Sequence, residues 1–428
     1  MKKMAMIVLL VLAYAFEAMA EITVGIHEIP IQGINVISVG VSPNGKYIVG
    51  TVDYGAFTYI VEDNSYDVWG QGTFFAVTNA GKVTGDLIDP STNASTAGYA
   101  PDLDSDFIFL PNVENWIPAD PFLSSSYGMT PDGNIIVGMG WHPNYTTQAC
   151  YWDENYEVHA LPRLANNRSA CAYGVTDDGM TIVGWQETDY YGRCPSIWEN
   201  GEQTVFDGLD GEFYCVNSDG TMAGGNYGGR LAIWKQGVGM TVYGDEAYLP
   251  NFMGVTEDNM FAGKDGNGAV IWTEETGVVS FVDYLESLGA EIPGGFSFYQ
   301  INSVTPDGKV FVGWGSTPNS ANIGTWYVTI DDGSDVEEQI VEDSSILMNY
   351  PNPFNPSTTI SLELLSNQNI ELSVYNSNGE MISSLARGMY KKGTHDFSFS
   401  GLNLSSGIYY AKLSSGNQII TRKMMLLK

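Results

Sequence analysis

Residues 129–138 read Met-Thr-Pro-Asp-Gly-Asn-Ile-Ile-Val-Gly, and this pattern occurs seven times along the chain. Each copy has an apolar residue, a turn of Pro-Asp-Gly type, a second apolar run and a closing glycine. The copies occupy residues 41–50, 77–85, 129–138, 175–184, 216–224, 255–263 and 304–313. Their closing glycines are 35 to 53 residues apart, a period that indicates stacked supersecondary units.

Each copy predicts a pair of strands. An apolar strand enters a tight turn whose glycine takes positive φ, and a second apolar strand leaves it. A third strand ends in an aromatic residue, as in Ser196-Ile-Trp198 and Ala232-Ile-Trp234, and a short fourth strand follows. Four-stranded units at this period indicate an all-β fold with a seven-bladed β-propeller over residues 21–330, because ring closure removes most free strand edges.

The repeats also resemble the HAF-repeat family of extracellular proteins, which is named for a His-Ala-Phe-like triplet on the aromatic strand. The resemblance covers residues 35–330, although here the triplet lacks its His and ends more often in Trp than in Phe. It implies a repeat architecture and an extracellular location, and it assigns no activity.

The composition excludes nucleic acid as a partner. The chain has 428 residues and a formal net charge of −32, whereas a nucleic-acid-binding protein needs a basic surface. Aromatic residues make up 12% of the chain and glycines number 49, which is typical of a folded, turn-rich protein and not of a disordered acidic one.

The N-terminus has the three parts of a secretory signal. Lys2 and Lys3 precede an apolar run over residues 4–16, and Ala18-Met-Ala20 supplies small residues for cleavage. Residues 1–20 are therefore predicted to be a signal peptide. The run is shorter than the roughly 18–20 apolar residues of a membrane span, and no later stretch is as apolar, so we expect no membrane span in the mature chain.

The C-terminal part differs in composition from the repeats. Residues 331–344 carry seven acids in 14 positions and are predicted to be an acidic linker. Residues 345–428 carry seven Lys or Arg and four Asp or Glu, and they contain short alternating strands. The predicted strands are 360–364, 370–375, 395–399, 407–413 and 418–426. These strands predict a small Ig-like β-sandwich.

The tail closely resembles the type A C-terminal sorting domain of the type IX secretion system. The resemblance rests on the opening motif, on Leu404-Ser-Ser-Gly-Ile-Tyr-Tyr410 and on the basic end of the chain. The motif consists of Tyr350, Pro351, Asn352, Pro353, Phe354, Asn355 and Pro356. It implies the type IX machinery as a partner of residues 345–428 and transport across the outer membrane of a Bacteroidetes-like bacterium. The tail is then either removed or attached to surface lipopolysaccharide.

The four cysteines lie within one stretch of 66 residues, at Cys150, Cys171, Cys194 and Cys215. An even, clustered number in an exported protein predicts two disulfides, for which three connectivities are possible. No CxxC spacing accompanies them, so a zinc site is not expected.

No catalytic motif is found. The sequence contains neither a Gly-x-Ser-x-Gly element nor a phosphate-binding loop, and the recurring turn aspartates are interpreted as turn formers. Asp102, Asp104 and Asp106 have a spacing that suits calcium, with a solvated acidic loop as the alternative because the glycine and glutamate of an EF-hand are missing. No other cofactor is expected.

The long connections after the second strands are predicted to share one face and to be the ligand-binding face. Their candidate ligand-binding residues are Trp141, His142, Tyr145, Trp185, Tyr190, Tyr191, Tyr227 and Trp314. A glycan or protein ligand fits these side chains, and packing between loops is the alternative. We expect a binding, adhesion or structural module without catalysis; the alternative is a polysaccharide-active or other hydrolytic propeller.

The ring is predicted to close through the N-terminus. The seventh copy supplies only three strands before the acidic linker, whereas residues 22–27 are apolar and β-prone but precede the first copy. Because an open ring exposes a strand edge, residues 22–27 are expected to pair with residues 325–330 as the outer strand of the seventh blade.

Overall fold

The computed structural model describes residues 22–112, 123–142, 144–165, 167–189, 192–246, 249–320, 322–332, 346–350, 352, 354–364, 367–376, 381–405, 407–415 and 418–426. The predicted signal peptide and most of the predicted linker lie outside these residues. The chain separates into two compact units, residues 1–334 and 335–428.

The regular secondary structure described in the first unit consists of one short helix and a series of strands. In chain order they are β1 Thr23–Glu28, β2 Val36–Val41, β3 Tyr47–Val52, β4 Gly55–Ile60, β5 Ser65–Val77, β6 Val83–Asp89, β7 Ala94–Ala100, β8 Ile108–Phe109, β9 Ser124–Met129, β10 Ile136–Trp141, β11 Thr147–Trp152, β12 Val158–Ala160, β13 Ala170–Val175, β14 Thr181–Thr188, β15 Gly192–Glu199, β16 Glu202–Val205, β17 Gly211–Val216, β18 Met222–Tyr227, β19 Arg230–Lys235, β20 Gly239–Tyr243, β21 Asn251–Val255, β22 Phe261–Lys264, β23 Ala269–Thr273, β24 Gly277–Ser280, β25 Ser297–Val304, β26 Val310–Ser316 and β27 Gly324–Asp331. Helix α1, Phe281–Ser287, follows β24, and the Ser280 hydroxyl caps it by accepting from the Asp283 amide.

These strands form seven antiparallel blades, as the sequence predicts. Blades 3 to 6 are β9–β12, β13–β16, β17–β20 and β21–β24, each paired in sequence order. Blades 1 and 2 share β5, a strand of 13 residues that is the outer strand of one blade and the inner strand of the next. Blade 7 has the order β1-β27-β26-β25.

The predicted ring closure is confirmed. Strand β1 pairs antiparallel with β27, so that Thr23 lies opposite Asp331 and Glu28 lies opposite Trp326. Blade 7 also contacts blade 1, because the Ser38 hydroxyl donates to the Gly313 carbonyl over 2.9 Å. The N-terminal strand thus completes the last blade and covers its edge.

The Asp-Gly turns have the predicted geometry. Gly133 has φ 73°, and the Asp132 carboxylate accepts from the Thr130 hydroxyl at 2.6 Å and from the Asn134 amide at 3.0 Å. The same contacts form around Asp178 and Asp307. The recurring aspartates are therefore turn formers.

Each inner strand has a β-bulge at the same position of the repeat. The extra residues are Val39, Phe75, Tyr127, Tyr173, Tyr214, Met253 and Asn302. A bulge bends the strand and redirects the side chain of the extra residue. The main hydrophobic clusters lie between adjacent blades; one of them combines Phe213 and Ala223 of blade 5 with Val183 and Ile197 of blade 4.

In the described part of the second unit, seven strands form two sheets. They are β28 Ile346–Tyr350, β29 Ser357–Leu364, β30 Gln368–Asn376, β31 Met381–Tyr390, β32 Gly393–Ser400, β33 Gly407–Ser415 and β34 Gln418–Leu426. The sheet orders are β28-β29-β32 and β31-β30-β33-β34. The sequence predicted five of these strands and missed β28 and β31. Within the motif, Phe354 is buried and contacts Phe399 edge-on at 5.9 Å, whereas Pro351 and Pro353 lie outside the described residues.

Candidate functional site

A cavity of about 410 Å³ lies where the seven inner strands meet. Three rings of side chains line it, and every blade contributes to each ring. The first ring consists of the seven bulge residues. The second, of small residues, consists of Gly40, Ala76, Gly128, Gly174, Cys215, Gly254 and Ser303. The third, of aliphatic residues, consists of Val41, Val77, Met129, Val175, Val216, Val255 and Val304. We call this space the axial cavity.

Small residues in the second ring let adjacent blades approach closely. A Cβ atom added to Gly128 would lie 2.4 Å from the Tyr173 carbonyl oxygen of the next blade, and one added to Gly40 would lie 2.4 Å from the Phe75 carbonyl oxygen. These distances are far below van der Waals contact, so the backbone there requires glycine.

Aromatic rings cover one side of the axial cavity. Phe75 and Tyr127 have ring centroids 5.0 Å apart, Tyr127 and Tyr173 are also 5.0 Å apart, and Tyr173 and Tyr214 are 5.1 Å apart. Burial raises the pKa of all three tyrosines, so their hydroxyls are neutral at physiological pH. The Tyr173 hydroxyl accepts from Trp185 Nε1 at 3.2 Å.

Charged side chains lie beside this aromatic arc, near the start of the inner strands. Arg193 donates to Glu212 over 2.7 Å, and its guanidinium carbon is 4.2 Å from the centroid of the Trp185 ring. Asp86 accepts a short hydrogen bond from the Ser95 hydroxyl, and burial raises the pKa of Asp86 to about 6. These groups lie on the face that carries the long connections.

The predicted ligand-binding residues do not form one cluster. Trp185 is buried beside Tyr173, Trp314 packs against Tyr299 at 4.4 Å, and the Tyr227 hydroxyl donates to the Asp207 carbonyl at 3.1 Å. His142 bonds to Gln148 at 2.9 Å.

Two other predicted ligand-binding residues differ sharply in exposure. Trp141 is half-buried, and its Nε1 has no hydrogen-bond partner among the described residues. Tyr145 is 77% exposed. Tyr190 and Tyr191 lie outside the described residues. Binding through this set stays a prediction.

Residues that sequence reasoning missed lie at repeat-equivalent positions. The bulge tyrosines precede the small residue of each inner strand, and Asp86 follows a closing glycine. If the seven copies are aligned on their closing glycines, Asp86 occupies the position that Trp185 has in blade 4. This alignment would have identified Asp86 as an unusual acid at that position.

The three candidate calcium ligands are exposed, and the Asp102 carboxylate accepts the Asp104 amide at 3.0 Å. Among the described residues, Asp102, Asp104 and Asp106 do not bring their carboxylate oxygens close enough together to hold a metal ion. The group that does converge is Asp153, Glu157 and His159 on the β11–β12 hairpin, within 4.8 Å. There His159 Nε2 is 2.8 Å from the Asp153 carboxylate, which also accepts two backbone amides, so His159 and Asp153 already have partners.

The predicted disulfides are not formed. All four cysteines are free thiols, and all four are buried. They lie on separate strands, where each thiol has its own packing. Cys194 Sγ is 3.6 Å from the Thr188 hydroxyl, and Cys215 Sγ is 3.7 Å from the Phe252 carbonyl of the next blade. Burial raises the pKa of each thiol, which lowers its reactivity.

The C-terminal unit matches a known family. Residues 348–427 match the secretion system C-terminal sorting domain. The match confirms the type IX sorting domain predicted from the tail. The chain is thus handled by the type IX secretion machinery, and the protein is secreted or attached to the cell surface. No α-helix in the described part of the chain has the length and hydrophobicity that crossing a bilayer requires.

Comparison of whole chains gives only distant likeness. No curated protein matches the sequence. The structure is similar to a streptogramin B lyase, with 10% identity, a TM-score of 0.45 and coverage of 72% of this chain and 98% of that one. It is also similar to PorZ, a surface component of the type-IX secretion system of Porphyromonas gingivalis, with 8% identity, a TM-score of 0.29 and coverage of 91% and 74%.

TolB from Acinetobacter baumannii is similar at 12% identity and a TM-score of 0.32. The alignment covers 57% of this chain and about half of the TolB chain, 52%. At these scores the likenesses carry no information about activity, and the assignment of the fold rests on the strand order.

Proposed function

We propose that this protein is a non-catalytic recognition module that binds an uncharged part of its ligand in the axial cavity. The proposal includes a propeller over residues 21–330, an acidic linker over 331–344 and a sorting domain over 345–428. Membership of the propeller in the HAF-repeat family is part of the proposal and is supported by the seven repeats.

The observation that carries the proposal is the chemistry of the cavity lining. No Asp, Glu, His, Lys or Arg is among the described residues that line it. Its ionisable groups are Tyr127, Tyr173, Tyr214 and Cys215, and burial raises the pKa of all four. A neutral lining of aliphatic and aromatic side chains suits the binding of an apolar or ring surface and offers no charged acid–base pair for hydrolysis.

Binding and turnover can be measured on the same preparations. A glycan and peptide array would report binding, and release of reducing ends from polysaccharide mixtures would report hydrolysis. Val216→Phe fills part of the axial cavity, whereas Tyr145→Ala changes an exposed loop residue. We expect Val216→Phe to abolish binding, Tyr145→Ala to preserve it, and no polymer to be hydrolysed. Loss of binding in Tyr145→Ala alone would place the ligand on the long connections.

A hydrolytic function is the second candidate, and one observation favours it. The pKa of Asp86, about 6, is in the range that suits a general acid near neutral pH. If the protein hydrolyses a polysaccharide through Asp86, Asp86→Asn will abolish turnover and leave binding intact. Turnover of any polymer would contradict the non-catalytic proposal.

A further inference from the structure

Lys264, the last residue of β22, is the only lysine or arginine among the described residues that is buried, with 7% of its surface exposed. Two other lysines of the propeller have anionic partners: Lys235 pairs with Glu274 at 3.5 Å, and Lys309 pairs with Asp332 at 3.2 Å. Lys82 lies over the rings of Tyr99 and Tyr156, but its ammonium also donates to the Gly133 carbonyl. Within the described part of the chain, no ion pair or hydrogen bond reaches the Lys264 ammonium. Its contact is the ring of Tyr299, whose centroid is 4.8 Å from Nζ.

A cation with reduced hydration and no anionic partner is unfavourable in the free protein. The Lys264 side chain has lost part of its hydration and has gained the ring of Tyr299, and this partial burial lowers the pKa of Lys264. The adjacent Asp265 does not compensate, because its carboxylate accepts the amides of Asn267 and Gly268 within its own loop. An anion supplied from outside would therefore gain a strong partner at this position.

The fold does not require lysine there. Lys264 directly follows the closing glycine of its repeat, and it pairs across the blade with Asn251. The equivalent positions in the other blades hold Thr51, Asp86, Met139, Trp185, Asn226 and Trp314. Because six other side chains occupy this site of the repeat, packing alone does not explain a buried lysine.

An aromatic pair and an amide lie near Lys264: Tyr299 contacts it, Trp314 contacts Tyr299, and Asn251 is its cross-strand partner. Tyr299 is 46% exposed and lies 4.4 Å from Trp314, centroid to centroid. Asn251 Oδ1 is buried and has no hydrogen-bond partner in the described part of the chain. A cation beside an exposed tyrosine ring and an amide suits a sugar ring that carries a carboxylate, since the apolar face of the sugar stacks on the tyrosine while the carboxylate meets the ammonium.

We propose that Lys264, Tyr299 and Trp314 form a subsite for the carboxylate of a uronic acid. The three residues come from blades 6 and 7, and none of them lines the axial cavity, so the subsite does not depend on the function proposed for that cavity. The net charge of −32 opposes anion binding only over long distances, because at 0.15 M salt repulsion is screened beyond about 8 Å.

The test is calorimetric titration of the full chain at 0.15 M salt with galacturonate and glucuronate, and with galactose and glucose as neutral counterparts. Lys264→Met removes the charge at similar volume, Lys264→Arg keeps it, and Lys235→Met removes an exposed lysine as a matched control. We expect both uronates to bind the unmodified protein, Lys264→Met to weaken them about tenfold or more, and Lys264→Arg and Lys235→Met to change affinity little.

Three further measurements distinguish a uronate subsite from a folding defect, a general anion site and a peptide site. Lys264→Met should melt at the same or a higher temperature, which shows that lost binding is not lost folding. Equal affinity for sulfate or phosphate would replace the uronate subsite with a general anion site, and tighter binding of N-acetylglutamate would indicate a peptide ligand. Either result overturns the proposal, as does uronate binding that Lys264→Met leaves unchanged or the absence of uronate binding to the unmodified protein.

Discussion

His27 stacks on Tyr327 with ring centroids 4.6 Å apart and an interplanar angle of 16°. The contact joins β1 to β27 and therefore connects the N-terminal strand to the last blade. Beside it, the Glu28 carboxylate accepts from the Thr317 hydroxyl at 2.6 Å and from the Asn319 side-chain amide at 2.8 Å. Ring closure thus depends on side-chain contacts as well as on the strand ladder.

Removing the Glu28 carboxylate should weaken ring closure. Glu28→Ala leaves the donors of Thr317 and Asn319 without their acceptor, and we expect the free energy of unfolding to fall by about 1–2 kcal/mol. The measurement is urea unfolding, with Glu62→Ala at an exposed position as the control. Deletion of residues 21–28 should lower the melting temperature further; an unchanged value would mean that the strand is a free arm.

Because adjacent blades approach more closely at Gly128 than at Gly174, substitution by alanine should destabilise the protein more at Gly128. Gly128→Ala places a Cβ 2.4 Å from a backbone oxygen, whereas Gly174→Ala places one 3.0 Å from the equivalent Tyr214 oxygen. We expect costs of about 2–3 kcal/mol for the first and about 1 kcal/mol for the second. Thermal unfolding of both variants checks this order, and equal costs would contradict the steric explanation.

Asp86 should make stability depend on pH. Its folded pKa of about 6 exceeds the unfolded value of 3.8, so the penalty for burying its charge is absent below pH 3.8 and complete above about pH 6. We therefore expect Asp86→Asn to be nearly neutral at pH 3.5 and to stabilise the protein by about 2–3 kcal/mol at pH 7.

Denaturant unfolding of the Asp86→Asn variant and the unmodified protein between pH 3.5 and 7 measures this difference. Asp67→Asn, at an exposed position, is the matched control and should show no such trend. A stability difference for Asp86→Asn that stays constant across this pH range would count against a buried, ionised Asp86.

The four cysteines should be thiols in protein purified without reductant. Alkylation after unfolding, followed by intact mass measurement, should add four groups, and alkylation of the native protein should be slow because all four are buried. Prior reduction should not increase the number of groups added. Two fewer groups without reductant would reveal one disulfide.

The sequence by itself determined the blades, the turns and the sorting tail. These features depend on local patterns: Gly133 and its equivalents supply positive φ within a few residues of the apolar runs they join. Ring closure by β1 also followed, because the seventh copy lacked a strand and exposed edges are unfavourable. The shared strand β5 did not follow, since the repeats contain no signal for one strand that serves two blades.

The candidate site was decided only by the tertiary structure. The bulges that direct Tyr127, Tyr173 and Tyr214 toward one another arise from strand register, and the packing of separate blades sets the distance between these rings. The environments of Lys264 and Cys215 likewise depend on the following blade, which contributes Tyr299 and the Phe252 carbonyl. Sequence patterns specify a strand and its faces, whereas these contacts join residues about 35 positions apart or more, so only the closed ring defines them.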